Sequence, residues 1–250
     1  MRAQKRTTFL AAGLGLLMAA GAAAAEKRDV TIVANDGVQL KATYYSPGRP
    51  GPGVLLFHQC NMDRKSWDST ANTLAARGIH VLTLDLRGFG ESQGEQWKWD
   101  GSLDHALDFW RKNMSADAEK AYEWLSVQAG VDKSRMAAGG ASCGVTIALL
   151  MAEKHPQTVK TLVLLSGFAD ARSKEFLESK RDLPVLAAAS AEDGDAYKAI
   201  QEIAAASGSP NSKLLSFKGA GHGVKMFGPE PKLEETVVSW FQSRLLGARQ

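Results

Sequence analysis

From residue 54 to residue 219 the chain alternates short apolar runs with longer amphipathic stretches, and few architectures accept that order. The runs are VLLF (Val54 to Phe57), HVLTLDL (His80 to Leu86), RMAAGG (Arg135 to Gly140), TLVLLSG (Thr161 to Gly167), LPVLAAAS (Leu183 to Ser190) and KLLSFKG (Lys213 to Gly219). Such short apolar runs suit strands buried on both faces. Helical patterns fall between and after them at 67–77, 115–128, 145–155, 195–206 and 233–246, with Gly78 and Pro156 as stops. Strand and helix in alternation build a mainly parallel sheet with helices on both faces. Ahead of it, DVTIVANDGVQLKATYY reads as two alternating strands joined across Asn35-Asp36-Gly37, which brings the expected sheet to eight strands.

In sheets of this kind the ligand site lies beyond the carboxyl ends of the strands, so the residues that follow each run carry the chemistry. Counting the two hairpin strands as the first two runs, RMAAGG is the fifth, and it leads into Gly140-Ala141-Ser142-Cys143-Gly144 and then a pattern that is apolar on nearly every side. A strand that turns sharply into a helix has no room for side chains two positions either side of its apex, and glycine relieves the collision. Ser142 has glycine at both positions, whereas Cys143 would have Ala141 and Val145. The spacing therefore selects Ser142 as nucleophile, against the plainer reading of a glycine-rich turn.

A serine hydroxyl needs a base, and histidine has the pKa for it. Of five histidines, His80 opens a strand, His105 lies in a polar helical region and His155 precedes Pro156. His222, in Gly219-Ala220-Gly221-His222-Gly223 after the last run, is the expected base. A carboxylate must hold its tautomer, and Asp193 follows the seventh run, with Glu192, Asp195 and Asp170 as competitors. The order Ser142, Asp193, His222 suits this architecture. The third run leads into His58-Gln59-Cys60-Asn61, where one oxyanion N–H is expected from Cys60 and the other from Cys143, next to the nucleophile. Asp85-Leu86-Arg87-Gly88-Phe89-Gly90-Glu91-Ser92 reads as a structural turn. Trp97, Trp99 and Phe168 are candidates for substrate contact, and a hydrophobic cover over the core is the alternative for the tryptophans.

Together GASCG, DLRGFGES, SAEDG and GAGHG resemble the α/β-hydrolase superfamily, in its motif order and over essentially the whole chain after residue 25. The chain looks most similar to the small lidless branch that includes dienelactone hydrolases and related serine esterases. Only residues 168–182 separate the sixth and seventh runs, which leaves no room for a large cap domain. It differs from that branch in two places. Dienelactone hydrolases proper use cysteine where Ser142 stands, and the usual His-Gly after the third strand is His58-Gln59 here. The resemblance implies acyl transfer to water through an acyl-enzyme on Ser142, with no metal or organic cofactor and a small-molecule ester as partner. A prolyl-oligopeptidase type of peptidase and a noncatalytic ligand-binding member of the fold are the rival readings. If Cys60 and Cys143 both present N–H groups to one oxyanion, their backbones come close to disulfide range; the pair is either a bridge or two small reduced thiols.

The first 25 residues read differently. MRAQKR carries Arg2, Lys5 and Arg6, a short apolar run follows, and AAAA precedes Glu26. This is the pattern of a cleaved secretory leader, the run being short of the roughly 20 residues that a membrane-spanning helix needs. It implies export to a periplasm or outside the cell, no stable membrane anchor after cleavage, and a hydrolase domain over 26–250. The 30 Lys and Arg and 27 Asp and Glu of the whole chain include those three leader cations, so the rest is balanced and nothing favours nucleic acid as partner. Two cysteines without a CxxC do not signal zinc, and oligomeric state has no signature in the sequence.

Overall fold

The computed structural model describes residues 26–247, so the expected leader at residues 1–25 lies outside the described residues. Eight strands form one sheet: β1 (Glu26–Val33), β2 (Gln39–Ser46), β3 (Gly51–Phe57), β4 (His80–Leu84), β5 (Val131–Ala141), β6 (Val159–Leu165), β7 (Val185–Ser190) and β8 (Lys213–Phe217). Their spatial order is β1-β2-β4-β3-β5-β6-β7-β8. The first two form the expected antiparallel hairpin, with Gly37 at φ +85° in its turn, and β2 runs antiparallel to β4. All later pairings are parallel.

Among the described residues seven α-helices fill the connections and follow β8: α1 (Asp68–Ala76), α2 (Leu103–Phe109), α3 (Ser115–Ser126), α4 (Cys143–Lys154), α5 (Ala171–Ser179), α6 (Asp195–Ala206) and α7 (Pro231–Leu246). Side chains of a strand alternate between faces, and β3 shows how this makes two cores. Leu55 and Phe57 join one core with residues of α2 to α6, while Val54 and Leu56 join the other with Leu74 of α1 and Val237, Val238 and Phe241 of α7. Burying each such side chain stabilises the fold by about 1.5–3 kcal/mol. Gly139 in β5 admits α7, since a Cβ there would lie 2.9 Å from Leu56 Cδ2 and 3.1 Å from Phe241 Cζ.

Two local expectations need correction. The last run does not form a strand buried on both faces: β8 is the sheet edge, with Lys213, Leu214 and Ser216 exposed. Two helices, α2 and α5, arise where no helical pattern was marked, because α2 buries only Ala106 and α5 only Ser173 and Leu177. With so narrow a buried stripe they leave little apolar periodicity to read. Helix α5 occupies the stretch judged too short for a cap, and no large cap is present among the described residues.

The turn after β4 is structural, as expected. The Asp85 carboxylate is buried, accepts the N–H groups of Arg64 at 2.6 Å and Glu91 at 2.9 Å, and pairs with the buried Arg64 guanidinium. Gly90, at φ +54°, is needed because a Cβ would sit 2.4 Å from that carboxyl carbon. The parallel register then brings the carboxyl ends to one rim: Phe57 lies beside Leu84 and Gly140, Ala141 beside Leu165, and Ser190 beside Phe217.

Candidate active site

Ser142 stands at the apex between β5 and α4 with φ +53° and ψ −119°, a conformation that costs a non-glycine residue about 1–3 kcal/mol. The flanking glycines make the apex possible. A Cβ at Gly140 would fall 2.0 Å from the Gly144 carbonyl oxygen, and one at Gly144 would fall 2.4 Å from that of Phe57. The backbone N–H of Ser142 donates to Leu165 O at 2.9 Å, tying the apex to β6. Ser166, the residue after β6, is the other non-glycine residue at positive φ among the described residues, at +50°, so strain gathers on this rim.

The acid loop and the histidine loop meet. His222 Nδ1 lies 2.8 Å from Asp193 Oδ1 and 2.9 Å from Oδ2, with the imidazole about a third exposed. A carboxylate only accepts, so this pairing places the imidazole proton on Nδ1 and leaves the Nε2 lone pair free to act as base. The competing carboxylates are engaged elsewhere. Glu192 accepts the Gly219 N–H at 2.6 Å and the Ser190 hydroxyl at 2.8 Å, which hold its carboxyl below its ordinary pKa. Asp195 pairs with Lys198, and Asp170 binds Arg111 while capping α5 through the Ser173 N–H. The other histidines are likewise occupied: His80 with the Tyr44 hydroxyl, His105 with Asp100, and His155 with Glu119.

The serine and histidine loops are neighbours, because a Cβ on Gly223 would lie 3.3 Å from Ala141 Cβ. Among the described residues, Ser142 Oγ and His222 Nε2 share no hydrogen bond. Contacts of this kind commonly tighten only in the substrate complex.

Cys60 and Cys143 are joined by a disulfide, with Cα atoms 5.8 Å apart and 83 residues between them in sequence. The bridge removes Cys143 as a free thiol at this turn and leaves the Ser142 hydroxyl beside it. The Cys143 N–H, at the first position of α4, has no acceptor within the helix, and among the described residues the Cys60 N–H has no backbone partner. His58 braces the start of the same loop. Its Nδ1–H donates to Gln59 O at 2.8 Å, its Nε2 accepts the Leu86 N–H at 3.0 Å, and burial pushes its pKa down.

The three residues expected at the substrate fare differently. Phe168 follows Gly167, where a Cβ would lie 2.4 Å from Ser142 O, and it lines a depression of about 430 Å³ with Leu103, Leu107 and Asp195. Trp97 packs on Phe109 with ring centroids 5.2 Å apart, as the covering alternative has it. Trp99 is 64% exposed. Sequence reasoning marked Gln59 only as a departure from the usual His-Gly and missed that it is wholly buried and accepts the Val224 N–H of the histidine loop. A glutamine has no chemical signature of its own, and only the placement of Val224 beside it reveals what it binds. No group of His, Cys, Asp and Glu suited to a metal occurs among the described residues.

Comparison with known proteins fits this geometry. A family model described as the alpha/beta hydrolase fold matches residues 52–199. An uncharacterized protein of Mycobacterium tuberculosis is 34% identical over 143 residues, which is 56% of this chain and 46% of that protein. The chain spans about half the length of the curated relatives it matches. Among solved structures, a dienelactone hydrolase from Anabaena variabilis superposes with a TM-score of 0.67 at 19% identity, covering 88% of this chain and 99% of that one. An esterase of Pyrococcus furiosus gives 0.65 at 18% identity, covering 89% and 94%. A dienelactone hydrolase-like promiscuous phosphotriesterase from metagenomic libraries also gives 0.65 at 18% identity, covering 88% and 99%. The matched segment contains Ser142 and Asp193, and the likeness to solved structures extends over most of the chain. By its sheet, its sharp turn and this family match, the chain belongs to the alpha/beta hydrolase fold family.

Proposed function

We propose that the protein is a serine hydrolase that cleaves small or medium carboxylic esters. The observation that carries the reading is the Asp193 carboxylate on His222 Nδ1, on the same rim as a serine held at positive φ by flanking glycines. Ser142 Oγ attacks the ester carbonyl carbon while His222 Nε2 takes its proton. The carbonyl oxygen becomes an oxyanion that accepts the N–H groups of Cys60 and Cys143. Collapse of the tetrahedral intermediate expels the alcohol, which receives the proton from His222. Water then attacks the acyl-enzyme with His222 again as base, and the acid leaves as Ser142 is regenerated.

Asp193 keeps Nε2 free and stabilises the imidazolium that forms during each transfer. Esterase and dienelactone hydrolase neighbours of the same fold support an ester as substrate. The basic start of the chain, its apolar run and its small-residue stretch support export after cleavage near Glu26.

A fluorophosphonate probe tests the chemistry: labelling of wild-type protein that vanishes in Ser142→Ala is expected, and absence of labelling on folded protein refutes it. A panel of chromogenic esters of graded acyl length, run beside amides, tests the substrate class. Preference for amides would replace the esterase reading by a peptidase one. Amino-terminal sequencing of protein recovered outside the cytoplasm tests the export reading.

A further inference from the structure

The histidine loop is held at both ends, and the two holds come from different strands. Before His222, Glu192 accepts the Gly219 N–H at 2.6 Å and Ser190 Oγ accepts the Ala220 N–H at 3.0 Å, both from the end of β7. After His222, the Val224 N–H donates to Gln59 Oε1 at 3.1 Å, from the loop that follows β3. Gly223 lies between, at φ +61°, and a Cβ there would come within 2.3 Å of that same Oε1. The backbone just past the imidazole is thus seated directly on the Gln59 amide.

Gln59 is wholly buried and is itself fixed on every side. Its Nε2 donates to Asn61 Oδ1 at 2.8 Å, and its carbonyl accepts the Met62 N–H at 2.9 Å and the His58 Nδ1–H at 2.8 Å. The site asks for an acceptor towards Val224 and a donor towards Asn61 from one uncharged side chain, which is what an amide supplies. A carboxylate would lose the donor and bury a charge, and an apolar chain would strand the Val224 N–H.

We propose that Gln59 is a positioning residue that sets the reach of His222 towards Ser142, and that it couples the histidine loop to the segment carrying the Cys60 N–H. The role rests on the serine hydrolase reading above. Base and oxyanion donor then move as one unit, because a single side chain spans both loops. Displacement of a catalytic group by about 1 Å can cost on the order of 100-fold in rate while leaving substrate binding intact.

The test uses Gln59→Met, which keeps the volume and removes both side-chain hydrogen bonds, and Asn61→Ala, an exposed position that removes only the Nε2 anchor. Gln59→Met is expected to lower kcat on a chromogenic ester by about 10- to 100-fold with KM within about twofold, and to slow fluorophosphonate labelling of Ser142 in parallel. Asn61→Ala is expected to lower kcat in the same way by a smaller factor, with circular dichroism unchanged. A folded Gln59→Met protein with wild-type kcat, or one whose loss lies wholly in KM, overturns the role. If Gln59→Met does not fold, Asn61→Ala decides alone, and wild-type kcat there overturns it. Wild-type protein that neither labels nor hydrolyses any ester overturns the hydrolase reading, and this role with it.

Discussion

Replacing Cys60 and Cys143 together by alanine removes a cross-link that closes 83 residues of chain. In the chain-entropy treatment a loop of that length deprives the unfolded ensemble of about 15 cal/mol/K, or about 4.5 kcal/mol at 25 °C. Domains of ordinary size are stable by roughly 5–15 kcal/mol in total, so the bridge supplies a large share. Each kcal/mol moves the melting midpoint of a chain of about 150–250 residues by about 2–4 °C, which predicts a fall of roughly 9–18 °C. The same cross-link joins the two residues whose N–H groups are proposed to hold the oxyanion, so a second effect falls on catalysis. Loss of one such donor outright costs about 100- to 1000-fold in kcat, and loosening two without removing either should cost less than that. Melting by circular dichroism and ester kinetics, on wild type with and without reductant and on the double alanine variant, read both effects. Mass analysis after alkylating the unfolded, unreduced protein reads the bond itself. Two added labels would show that no bridge exists, and a midpoint shift under about 2 °C between bridged and unbridged protein would refute the loop-closure argument.

Three further outcomes follow from the geometry. Asp193→Asn should leave KM near wild type and lower kcat by on the order of 10,000-fold, because the amide can donate to Nδ1 and impose the wrong tautomer; steady-state ester kinetics measure it. Arg64→Met should cost about 3–5 kcal/mol in urea unfolding, since it leaves the buried Asp85 carboxylate without its guanidinium. His58 makes stability depend on pH: burial holds its pKa below the ordinary 6.5, and its Nε2 must stay unprotonated to accept the Leu86 N–H. The unfolded chain binds the proton that the folded state refuses, so this contribution is complete above about pH 6.5 and is lost as pH falls through the folded value. Urea midpoints between about pH 8 and pH 5 should decline on the acid side and decline less in His58→Gln, with His80, also depressed by burial, accounting for part of what remains.

Much of the site was legible because its grammar is steric and local. The glycines two residues either side of Ser142 announce a turn too tight for a Cβ, and the collisions with Gly144 and Phe57 carbonyls are the ones that spacing implies. The Asn35-Asp36-Gly37 turn and the strand–helix alternation are equally local, and the eight-stranded sheet follows from them. Asp193 could not be set apart from Glu192 and Asp195 in this way, since the three lie within a few residues of one another between the end of β7 and the start of α6. The distinction came from what each oxygen faces: a backbone N–H for Glu192, a lysine for Asp195 and the imidazole for Asp193. The tryptophans were illegible for a similar reason, as apolar surface near a rim looks the same whether it meets substrate or, like Trp97, another ring.

The sequence alone determined the layered α/β architecture, the turn that presents Ser142 and the chain order of serine, acid and histidine. Hydrophobic period and backbone sterics act over a few residues and need no partner from elsewhere to be read. Only the tertiary structure decided that β8 is an edge, that Cys60 reaches Cys143, that Asp193 holds the imidazole and that Gln59 props its loop. Each of those is a contact between segments far apart in sequence, set by sheet register and by which buried polar group is left to be satisfied, and neither quantity is written in any single stretch of the chain.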